Sequence, residues 1–326
     1  MSTMVLVTGG AGYIGSHVCK ALSQEGFTPI CYDTLEKGHD WAVRWGPIER
    51  GDIGDRDRLD EVFERCRPTG IIHLAGYIEV GESVREPERY MHNNAAKSRV
   101  LIEAALAHDV EAFVFSSSCS VYGLPQADRL SETHPIRPLN PYAESKAHVE
   151  ATLRDSAARG LRSAALRYFN AAGADPDGEI GEAHDPETHL LPLAVDAALG
   201  LGPPLTLLGD DHPTPDGSCI RDFVHVSDLA AAHIHVLRWL QRSPAKGLHE
   251  AFNLGSGVGY SVRQVLAETA RLAGPVPLKV GPRRPGDSPR LVGDISKSKR
   301  ELGWTPTRDL GTQIEDTLRW RRNMAR

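Results

Sequence analysis

The sequence has few of the features that cross-link a chain or anchor it in a membrane. Only 5 of its 326 residues are cysteine, and they are scattered, odd in number and never arranged as C-x-x-C. This pattern is typical of reduced thiols rather than of a disulfide framework. No stretch approaches the roughly 18 apolar residues of a membrane span, and the opening MSTMVLVTGG lacks the features of a signal peptide. We therefore expect a cytoplasmic protein with no membrane partner.

Positive charge is also scarce. Lys and Arg number 37 against 43 Asp and Glu, for a net charge of −6. This balance argues against nucleic-acid binding and against attachment to an anionic membrane. The remaining composition, 40% hydrophobic and 25% charged, is that of an ordinary globular protein. The length suggests about two domains.

Short apolar runs alternate with helical patterns over the first half of the chain. The predicted strands cover residues 4–7, 29–32, 70–73, 112–115 and 164–166, and the predicted helices cover 14–25, 56–66, 94–108 and 142–159. Such alternation predicts βαβ units, and the continuous apolar runs indicate parallel strands buried on both faces. After about residue 170 the sequence is richer in Gly, Pro and Asp, with helical patterns at 190–199, 226–241, 261–272 and 310–322.

A glycine-rich loop follows the first predicted strand. In TGGAGYIGSH, the residues Gly9, Gly12 and Gly15 are spaced G-x-x-G-x-x-G and lie between a strand and a helix. Glycines at these places permit a tight turn, a close approach to a pyrophosphate and close packing of helix on sheet. The helix N-terminus adds unpaired N–H groups for phosphate. We predict a Rossmann-type doubly wound sheet that binds a dinucleotide.

Two aspartates are candidates for the adenosine half of that dinucleotide. Asp33 ends the second predicted strand, where a carboxylate can accept ribose hydroxyls and would repel the extra phosphate of NADP. The cofactor is therefore expected to be NAD. Asp52, in RGDIGD, is a candidate for the adenine end, with a helix N-cap as the alternative interpretation.

A tyrosine and a lysine stand four residues apart in PYAESK. At this spacing Tyr142 and Lys146 share one helix face. A phenol with a pKa of about 10 needs nearby positive charge to act as a base near neutral pH. Lys146, together with the positive nicotinamide ring of a bound NAD, would lower that pKa. Ser116, Ser117 and Ser118 end an earlier predicted strand, where ligands of a doubly wound sheet bind. Together these residues predict a catalytic site.

The sequence resembles the extended short-chain dehydrogenase/reductase superfamily, and within it the UDP-galactose (UDP-glucose) 4-epimerases. The resemblance rests on TGGAGYIGSH, SSSCSVYG, PYAESK and ALRYFNAAGA in that order, and GESV, RDFVHVSDLA, FNLGSGVGYSV and PRRPGD extend it over nearly the whole chain. It implies that Tyr142 takes a proton from the hydroxyl at carbon 4 of a UDP-hexose, assisted by Ser118, and that Lys146 holds the nicotinamide ribose. A hydride passes to NAD and returns to the other face of the 4-keto sugar.

The resemblance also implies an organisation and a set of contacts. Residues 1–170, rejoined by parts of 223–255, form the NAD-binding domain, and 171–326 form mainly a smaller, mixed α/β domain for the UDP-sugar, in a homodimer formed by the helices at 94–108 and 142–159. The implied cofactor contacts are Gly9, Gly12, Tyr13, Ile14, Gly15, Asp33, Thr34, Leu35, Asp52, Ile53, Leu74, Ala75, Gly76, Asn93, Ser116, Tyr142, Lys146, Tyr168 and Phe169. The implied substrate contacts are Ser118, Tyr142, Asn170, His189, Leu190, Thr206, Leu208, Arg221, Arg284, Asp287 and Leu291.

Several positions depart from the pattern of the family. Ile78 stands where many of these epimerases have a lysine that reaches NAD, His189 replaces a common asparagine, and Phe223 replaces a common tyrosine. Leu291 falls at a position that sets the size of the sugar pocket, where tyrosine restricts the pocket and smaller residues admit N-acetylated sugars. Acceptance of N-acetylhexosamines stays open, as does use of a UDP-pentose or UDP-uronic acid.

Other features of the sequence carry less weight. His184, Asp185, Glu187 and His189 lie close together in the sequence, but their spacing matches no familiar metal site, and we expect no metal. Cys119 is expected to be a small buried residue rather than a nucleophile. A sugar-nucleotide 4,6-dehydratase resembles this sequence less, because Cys119 and Ser120 stand where dehydratases have an Asp-Glu pair. A non-catalytic NAD binder would not need the Tyr142–Lys146 pair.

Overall fold

The structure is a computed structural model that describes residues 3–283 and 288–325. The strands of these residues, numbered in chain order, are β1 Met4–Thr8, β2 Thr28–Asp33, β3 Ile48–Arg50, β4 Gly70–His73, β5 Ala112–Ser118, β6 Arg162–Tyr168, β7 Asn170–Ala172, β8 Leu205–Leu208, β9 Ile220–His225, β10 Leu248–Leu254, β11 Gly259–Ser261, β12 Leu278–Gly281 and β13 Arg290–Leu291. The helices are α1 Tyr13–Gln24, α2 Arg56–Cys66, α3 Val80–Arg85, α4 Pro87–Tyr90, α5 Lys97–Ala107, α6 Pro141–Ser156, α7 Leu190–Leu199, α8 Val226–Arg242, α9 Val262–Ala273, α10 Ser296–Leu302 and α11 Leu310–Met324.

A parallel sheet of seven strands organises the first part of the molecule. Its order is β10-β6-β5-β4-β1-β2-β3, and every neighbouring pair is parallel. The order runs outward in both directions from β1, as in a doubly wound dinucleotide-binding sheet. The predicted fold class is confirmed.

The apolar runs are continuous because both faces of this sheet are covered. In β1, Val5 and Val7 pack into a core that contains residues of α1 and α8. Leu6, between them, points to the other face and joins a core that contains residues of α2, α5 and α6. Each strand thus buries successive side chains on opposite faces, which favours apolar residues at consecutive positions.

Smaller sheets and helices form the second part. Strand β9 pairs in parallel with β7 and β13 and antiparallel with β11, and β8 pairs with β12. Helices α7, α9 and α11 pack around a core that includes Leu191, Val265 and Ile314. This part is mixed α/β, as expected. None of the helices in the described residues is long and apolar enough to cross a membrane.

Residues late in the chain complete the large sheet. Strand β10 is hydrogen-bonded to β6 along its whole length, from Leu248 opposite Arg162 to Leu254 opposite Tyr168. Helix α8 packs on α1 and covers one face of the sheet. The domain boundary placed at residue 170 stays a prediction.

The N-terminal cap of helix α2 decides between the two interpretations of Asp52. Helix α2 begins after Asp55, whose side chain accepts a hydrogen bond from the backbone N–H of Arg58 at 3.1 Å. The alternative interpretation of Asp52 as a helix N-cap is therefore wrong, because Asp55 satisfies the helix end and Asp52 lies outside it.

Candidate active site

The carboxyl ends of the central strands meet along one edge of the large sheet. Thr8 lies opposite both Tyr32 and His73, and His73 lies opposite Phe115. Further along, Ser118 lies opposite Tyr168. Loops that follow these strands therefore share one crevice, which is where ligands bind in sheets of this kind.

The glycine loop lies at the centre of this edge. Gly9 has φ +72°, and a Cβ there would lie 2.7 Å from the backbone nitrogen of Ala75. A Cβ on Gly15 would lie 2.0 Å from the Gly9 carbonyl oxygen. Gly12 precedes α1, and no side chain of the described residues caps this helix end. The N–H groups of the first turn of α1 are thus available to a pyrophosphate, which fits the predicted dinucleotide.

Asp33 is fixed beside the glycine loop at the end of β2. Its carboxylate accepts hydrogen bonds from the backbone N–H groups of Ala11 at 3.0 Å and Leu35 at 2.9 Å. Thr34 and Leu35 continue the chain from this point. A carboxylate so placed, hydrogen-bonded to the glycine loop, fits a ribose diol.

Asp52 and Ile53 follow β3, the edge strand beyond β2. The Asp52 carboxylate accepts hydrogen bonds from the backbone N–H of Gly54 at 2.8 Å and from the Lys97 Nζ at 2.5 Å. Ile53 is buried in the core that faces α2 and α5. The two residues thus lie beside the outer edge strand, and their contact with the adenine end stays a prediction.

The residues after β4 lie against the glycine loop and against a π-helical turn, Met91–Ala96. Leu74 donates its backbone N–H to the Thr8 carbonyl, and Ala75 is the nearest neighbour of Gly9. Asn94 is buried, and its side chain bonds to both backbone groups of Tyr77 at 2.8 and 2.9 Å. Asn93, the predicted cofactor contact, donates to Asn94. Sequence reasoning missed the positioning role of Asn94, since a π-turn has no signature in an apolar period.

The predicted catalytic residues meet where α6 crosses the end of β5. Asn140 caps α6 by accepting a hydrogen bond from Ala143, so Tyr142 lies in the first turn and Lys146 one turn later. Lys146 is buried, and its Nζ donates to the Ser116 carbonyl at 2.8 Å. The same Nζ lies 5.8 Å from the centre of the Tyr142 ring. Ser118 ends β5 and is hydrogen-bonded to Tyr142.

Burial dominates the electrostatics of this group. Burial raises the pKa of Tyr142 to about 12, although the hydrogen bond from Ser118 lowers it. Burial also lowers the pKa of Lys146 to about 8. The lowered pKa that the sequence predicts for Tyr142 requires the positive nicotinamide ring as well as Lys146. With NAD bound it stays a prediction, and in the free protein the pKa of Tyr142 is raised. The phenolate is desolvated here, and Lys146 at 5.8 Å from the ring does not offset that cost.

The residues that follow β6 line the inner end of the crevice. Tyr168 is buried, with its hydroxyl hydrogen-bonded to the Nε2 of His233. Phe169 packs in one small core with Cys119 and Leu291. Cys119 is therefore a small buried residue, as expected. Leu291 pairs with Arg221 through β13 and β9, which brings the predicted size-determining residue next to a predicted phosphate ligand.

The other predicted substrate contacts come from several elements of the second part. Arg221 donates to the Ser288 carbonyl at 2.7 Å, and Asn170 donates to the Asp222 carbonyl at 3.0 Å. His189 precedes α7, which begins at Leu190. Thr206 and Leu208 lie on β8, with Thr206 exposed. Arg284 and Asp287 lie outside the described residues.

Asp222 is a functional position that the sequence reasoning missed. Its buried carboxylate accepts hydrogen bonds from the backbone N–H groups of Ser256, Gly257 and Gly293, at 2.6, 3.0 and 3.1 Å. It thereby ties the end of β10 and the segment after β13 to the strand that carries Arg221. The only sequence signal is a carboxylate inside an apolar run, which is unusual for a buried strand.

A group of ionisable side chains surrounds Tyr13 at the start of α1. The structure brings Glu182, His184, Glu187 and His189 together, whereas the sequence grouped Asp185 with the last three. Burial opposes protonation of the two histidines, but hydrogen bonds to Glu182 and Glu187 raise the pKa of His184 to about 9 and that of His189 to about 10. The expected absence of a metal at these residues stays a prediction.

Residues 5–255 match the model of the NAD dependent epimerase/dehydratase family. The chain belongs to this family. It is 47% identical over 323 residues to the UDP-glucose 4-epimerase of Rhizobium meliloti, with 98% of each chain covered. It is similar to the crystal structure of UDP-glucose 4-epimerase from Brucella ovis in complex with NAD, with 45% identity, a TM-score of 0.93 and coverage of 97% of this chain and 98% of that chain. The corresponding enzyme from Bifidobacterium longum, in complex with NAD+ and UDP, matches with 34% identity, a TM-score of 0.93 and 98% of each chain covered.

Membership of the NAD dependent epimerase/dehydratase family agrees with the geometry of the crevice. Three features fit a bound NAD: the close backbone packing at Gly9 and Gly15, the uncapped start of α1 and the carboxylate of Asp33. The family model also ends at residue 255, directly after β10, the last strand of the large sheet.

Proposed function

We propose that the protein interconverts UDP-galactose and UDP-glucose by inverting carbon 4, with NAD as a resident cofactor. The observation that carries this proposal is the convergence of Ser118, Tyr142 and Lys146 at the strand edge that also holds the glycine loop. Relatives with full-length matches are named UDP-glucose 4-epimerase, which supports the same activity.

Tyr142 acts as the acid and base for the hydroxyl on carbon 4. Its phenolate oxygen takes the proton when carbon 4 is oxidised, and the resulting phenol returns it when the ketone is reduced. When bound, NAD supplies the hydride acceptor for carbon 4 and a positive ring next to the phenol. Because burial holds the pKa of Tyr142 at about 12 in the free protein, proton removal is favoured only when positive charge is present in the site. Tyr142 thus acts as a base when NAD is bound and not in the cofactor-free protein.

Lys146 and Ser118 position and tune this phenol. The Ser116 carbonyl holds the Lys146 ammonium one helical turn from Tyr142, where its charge stabilises the phenolate. Ser118 hydrogen-bonds Tyr142 and can pass the sugar proton to it. Since Ile78 replaces the second lysine of many epimerases, Lys146 is the one ammonium that we assign to the nicotinamide side.

The diphosphate of the substrate is bound by groups from the second part of the molecule. Arg221 and Arg284 offer guanidinium forks that match phosphate oxygens, and Asn170, His189 and Leu190 complete the predicted contacts. Leu291 packs against Phe169 at the wall of the sugar pocket. A leucine is smaller than the restricting tyrosine of the family, so UDP-N-acetylgalactosamine is the second substrate to test.

The test is to add UDP-galactose to the purified protein with no NAD supplied and to separate the products. Formation of UDP-glucose would support both the activity and the resident cofactor. Absence of UDP-glucose, even after NAD is added, would overturn the proposed reaction. The same assay with UDP-N-acetylgalactosamine, UDP-pentoses and UDP-uronic acids would then identify the substrate.

We also propose a cytoplasmic homodimer that works in galactose metabolism. The five cysteines form no disulfide within the described residues, which supports a reducing compartment. The proposed contact is formed by α5 and α6, which lie on one face of the large sheet. Light scattering after size-exclusion chromatography measures the oligomeric state directly, and a stable monomer would contradict the proposed dimer.

A further inference from the structure

Four side chains that can bind a metal converge on one point next to the glycine loop. One ligand atom from each of Glu182, His184, Glu187 and His189 lies within 4.8 Å of all the others. We propose, contrary to the expectation from their spacing in the sequence, that these side chains form a binding site for a single zinc ion. The ion is additional to the NAD and UDP-sugar assigned above and is not required by the proposed reaction.

The distances fit a tetrahedral ion. The Nδ1 of His184 and the Nδ1 of His189 lie 3.1 and 2.8 Å from the Glu182 Oε1. The same two nitrogens lie 3.9 and 3.0 Å from the Glu187 Oε1. Zinc bonds of 2.0–2.1 Å in a tetrahedron require ligand atoms about 3.3 Å apart. The four observed separations lie on both sides of this value, so an ion can be seated with small side-chain movements.

Ion pairing alone does not satisfy these groups. Each imidazole Nδ1 faces two carboxylates, although a single N–H can be directed well to only one of them. The Glu187 Oε1 already accepts the backbone N–H groups of Thr188 and His189, at 2.8 and 2.9 Å. The Glu187 Oε2 is buried and has no hydrogen-bond partner in the described residues, and only 10% of this side chain is exposed. A cation bound by both oxygens of the Glu187 carboxylate would supply the missing partner of Oε2.

The donor set and its exposure favour zinc. Two imidazole nitrogens with two carboxylates suit zinc, whereas magnesium and calcium prefer oxygen ligands only. Glu182 and Glu187 form the buried side, with 5% and 10% of their side chains exposed. His184 and His189 form the outer side, at 27% and 42%. An ion can therefore enter from solvent.

A second acidic cluster provides a contrast within the same segment. The carboxylates of Asp175, Asp177 and Glu179 surround the Lys20 Nζ at 2.8 to 2.9 Å. The ammonium group of Lys20, a residue of α1, therefore already occupies the centre of that cluster. In the Glu182 cluster, no lysine or arginine of the described residues is paired with either glutamate, and the central position is left to the two imidazoles.

The cluster is held by contacts to both parts of the molecule. The Tyr13 ring meets the His184 ring edge-on at 6.3 Å, and the Trp320 Nε1 donates to the Glu182 carbonyl at 2.9 Å. His39 donates to the Ala183 carbonyl at 2.8 Å. Zinc would join residues 182–189 into a closed loop over the start of α1, and a ligand that binds only the folded chain raises its melting temperature.

Cobalt is the first probe, because its visible spectrum reports geometry. We expect the chelator-treated protein to bind one Co2+ per chain, with the intense visible absorption of a tetrahedral ion, and to lose this absorption when Zn2+ is added. A weak octahedral spectrum, or no binding at one ion per chain, would overturn the proposal. Calorimetry with Zn2+ measures the affinity, and a thermal scan with and without Zn2+ measures the rise in melting temperature.

Two variants and a matched control locate the ion. His184→Asn and Glu187→Gln each remove one ligand and should weaken Zn2+ binding at least about 100-fold, since loss of groups that merely support a ligand costs 10- to 100-fold. His148→Asn removes an exposed histidine of α6 and should bind Zn2+ as the wild type does. Urea unfolding in the presence of chelator checks that each variant is folded. Unchanged binding in a folded His184→Asn or Glu187→Gln protein would place the ion elsewhere and overturn the site.

Discussion

The hydroxyl of Tyr142 is the one atom on which the proposed reaction depends at the scale of a residue. Tyr142→Phe removes this hydroxyl and keeps the ring in the first turn of α6. We expect bound NAD to be retained and turnover to fall at least about 100-fold, because general acid–base catalysis contributes 10²–10⁴-fold. Product separation after incubation with UDP-galactose measures the rate. Activity near that of the wild type would refute the role of Tyr142.

Asp33 gives a second prediction at this scale. Its carboxylate holds the backbone of Ala11 in the glycine loop and is proposed to bind the adenosine ribose. Asp33→Ala should release most of the NAD that co-purifies with the wild type, since both the loop and the ribose lose a charged acceptor. Absorbance of the denatured supernatant quantifies the cofactor. Asp40→Ala, an exposed aspartate paired with Arg50, is the control and should retain NAD.

Individual site residues were predictable where the chemistry is local. The glycine spacing, the aspartate at the end of β2 and the Tyr142–Lys146 pair each occupy a few consecutive positions, and the structure brings them to one edge. The group around Glu182 was not predictable. The path of the loop decides that Glu182 faces His184 and His189 while Asp185 does not, and no period in the sequence encodes that path.

At the scale of elements, a buried ion pair joins α6 to the sheet. Glu150 accepts hydrogen bonds from the Arg167 Nε and Nη2 at 3.0 and 2.6 Å and from the Ser117 Oγ at 2.5 Å. Arg167 and Ser117 belong to β6 and β5, and the Arg167 and Glu150 side chains are 3% and 1% exposed. This pair fixes the helix that carries Tyr142 and Lys146 against the strand that carries Ser118.

Glu150→Ala should therefore destabilise the fold strongly. It leaves the Arg167 guanidinium buried without its charged partner. Loss of one partner of a buried ion pair lowers the free energy of unfolding by about 3–5 kcal/mol. The control is Glu103→Ala. The Glu103 side chain is exposed and pairs with Arg159, which follows α6, so its loss should change the free energy of unfolding by at most about 1 kcal/mol. Urea titrations compare the two variants. Equal effects would show that burial of the Glu150 pair contributes nothing.

Element prediction succeeded where the apolar period is long and uninterrupted. Helices α2 and α7 and strand β4 coincide with the predicted ranges residue for residue. The predicted helix at 94–108 begins later, at Lys97, because the preceding residues form a π-turn. Helices α3 and α4 were missed, since each is short and Pro87 begins the second of them. Such short elements are set by their packing against α6 rather than by local periodicity.

At the scale of the whole molecule, buried histidines make the fold sensitive to acid. His233 is completely buried, with its ring nitrogens hydrogen-bonded to the Leu229 carbonyl and to Tyr168, and burial lowers its pKa to about 4. Between pH 6.5 and 4 the unfolded chain binds a proton at His233 that the folded chain excludes. The free energy of unfolding therefore falls as the pH falls, by up to about 1.4 kcal/mol per pH unit from this residue.

Replacement of this histidine should flatten the dependence on pH. We expect His233→Gln to lose less of its free energy of unfolding than the wild type between pH 6.5 and pH 4.5, whatever its stability at pH 7. Urea titrations at several pH values supply the slopes. His148→Gln, at an exposed position on α6, is the control and should keep the slope of the wild type. A variant at position 233 with the wild-type slope would exclude His233 as a source of acid sensitivity.

The position of β10 has a consequence for synthesis of the protein. When the ribosome has added residue 170, strand β6 is complete, but its outer edge has no partner until residues 248–254 have left the exit tunnel. Until then the nascent chain exposes an unpaired strand edge and the apolar surface that α8 covers later, and both features promote aggregation. The large sheet therefore cannot be completed before residues 248–254 have been translated, and a chaperone that shields β6 during that interval would raise the yield of active enzyme.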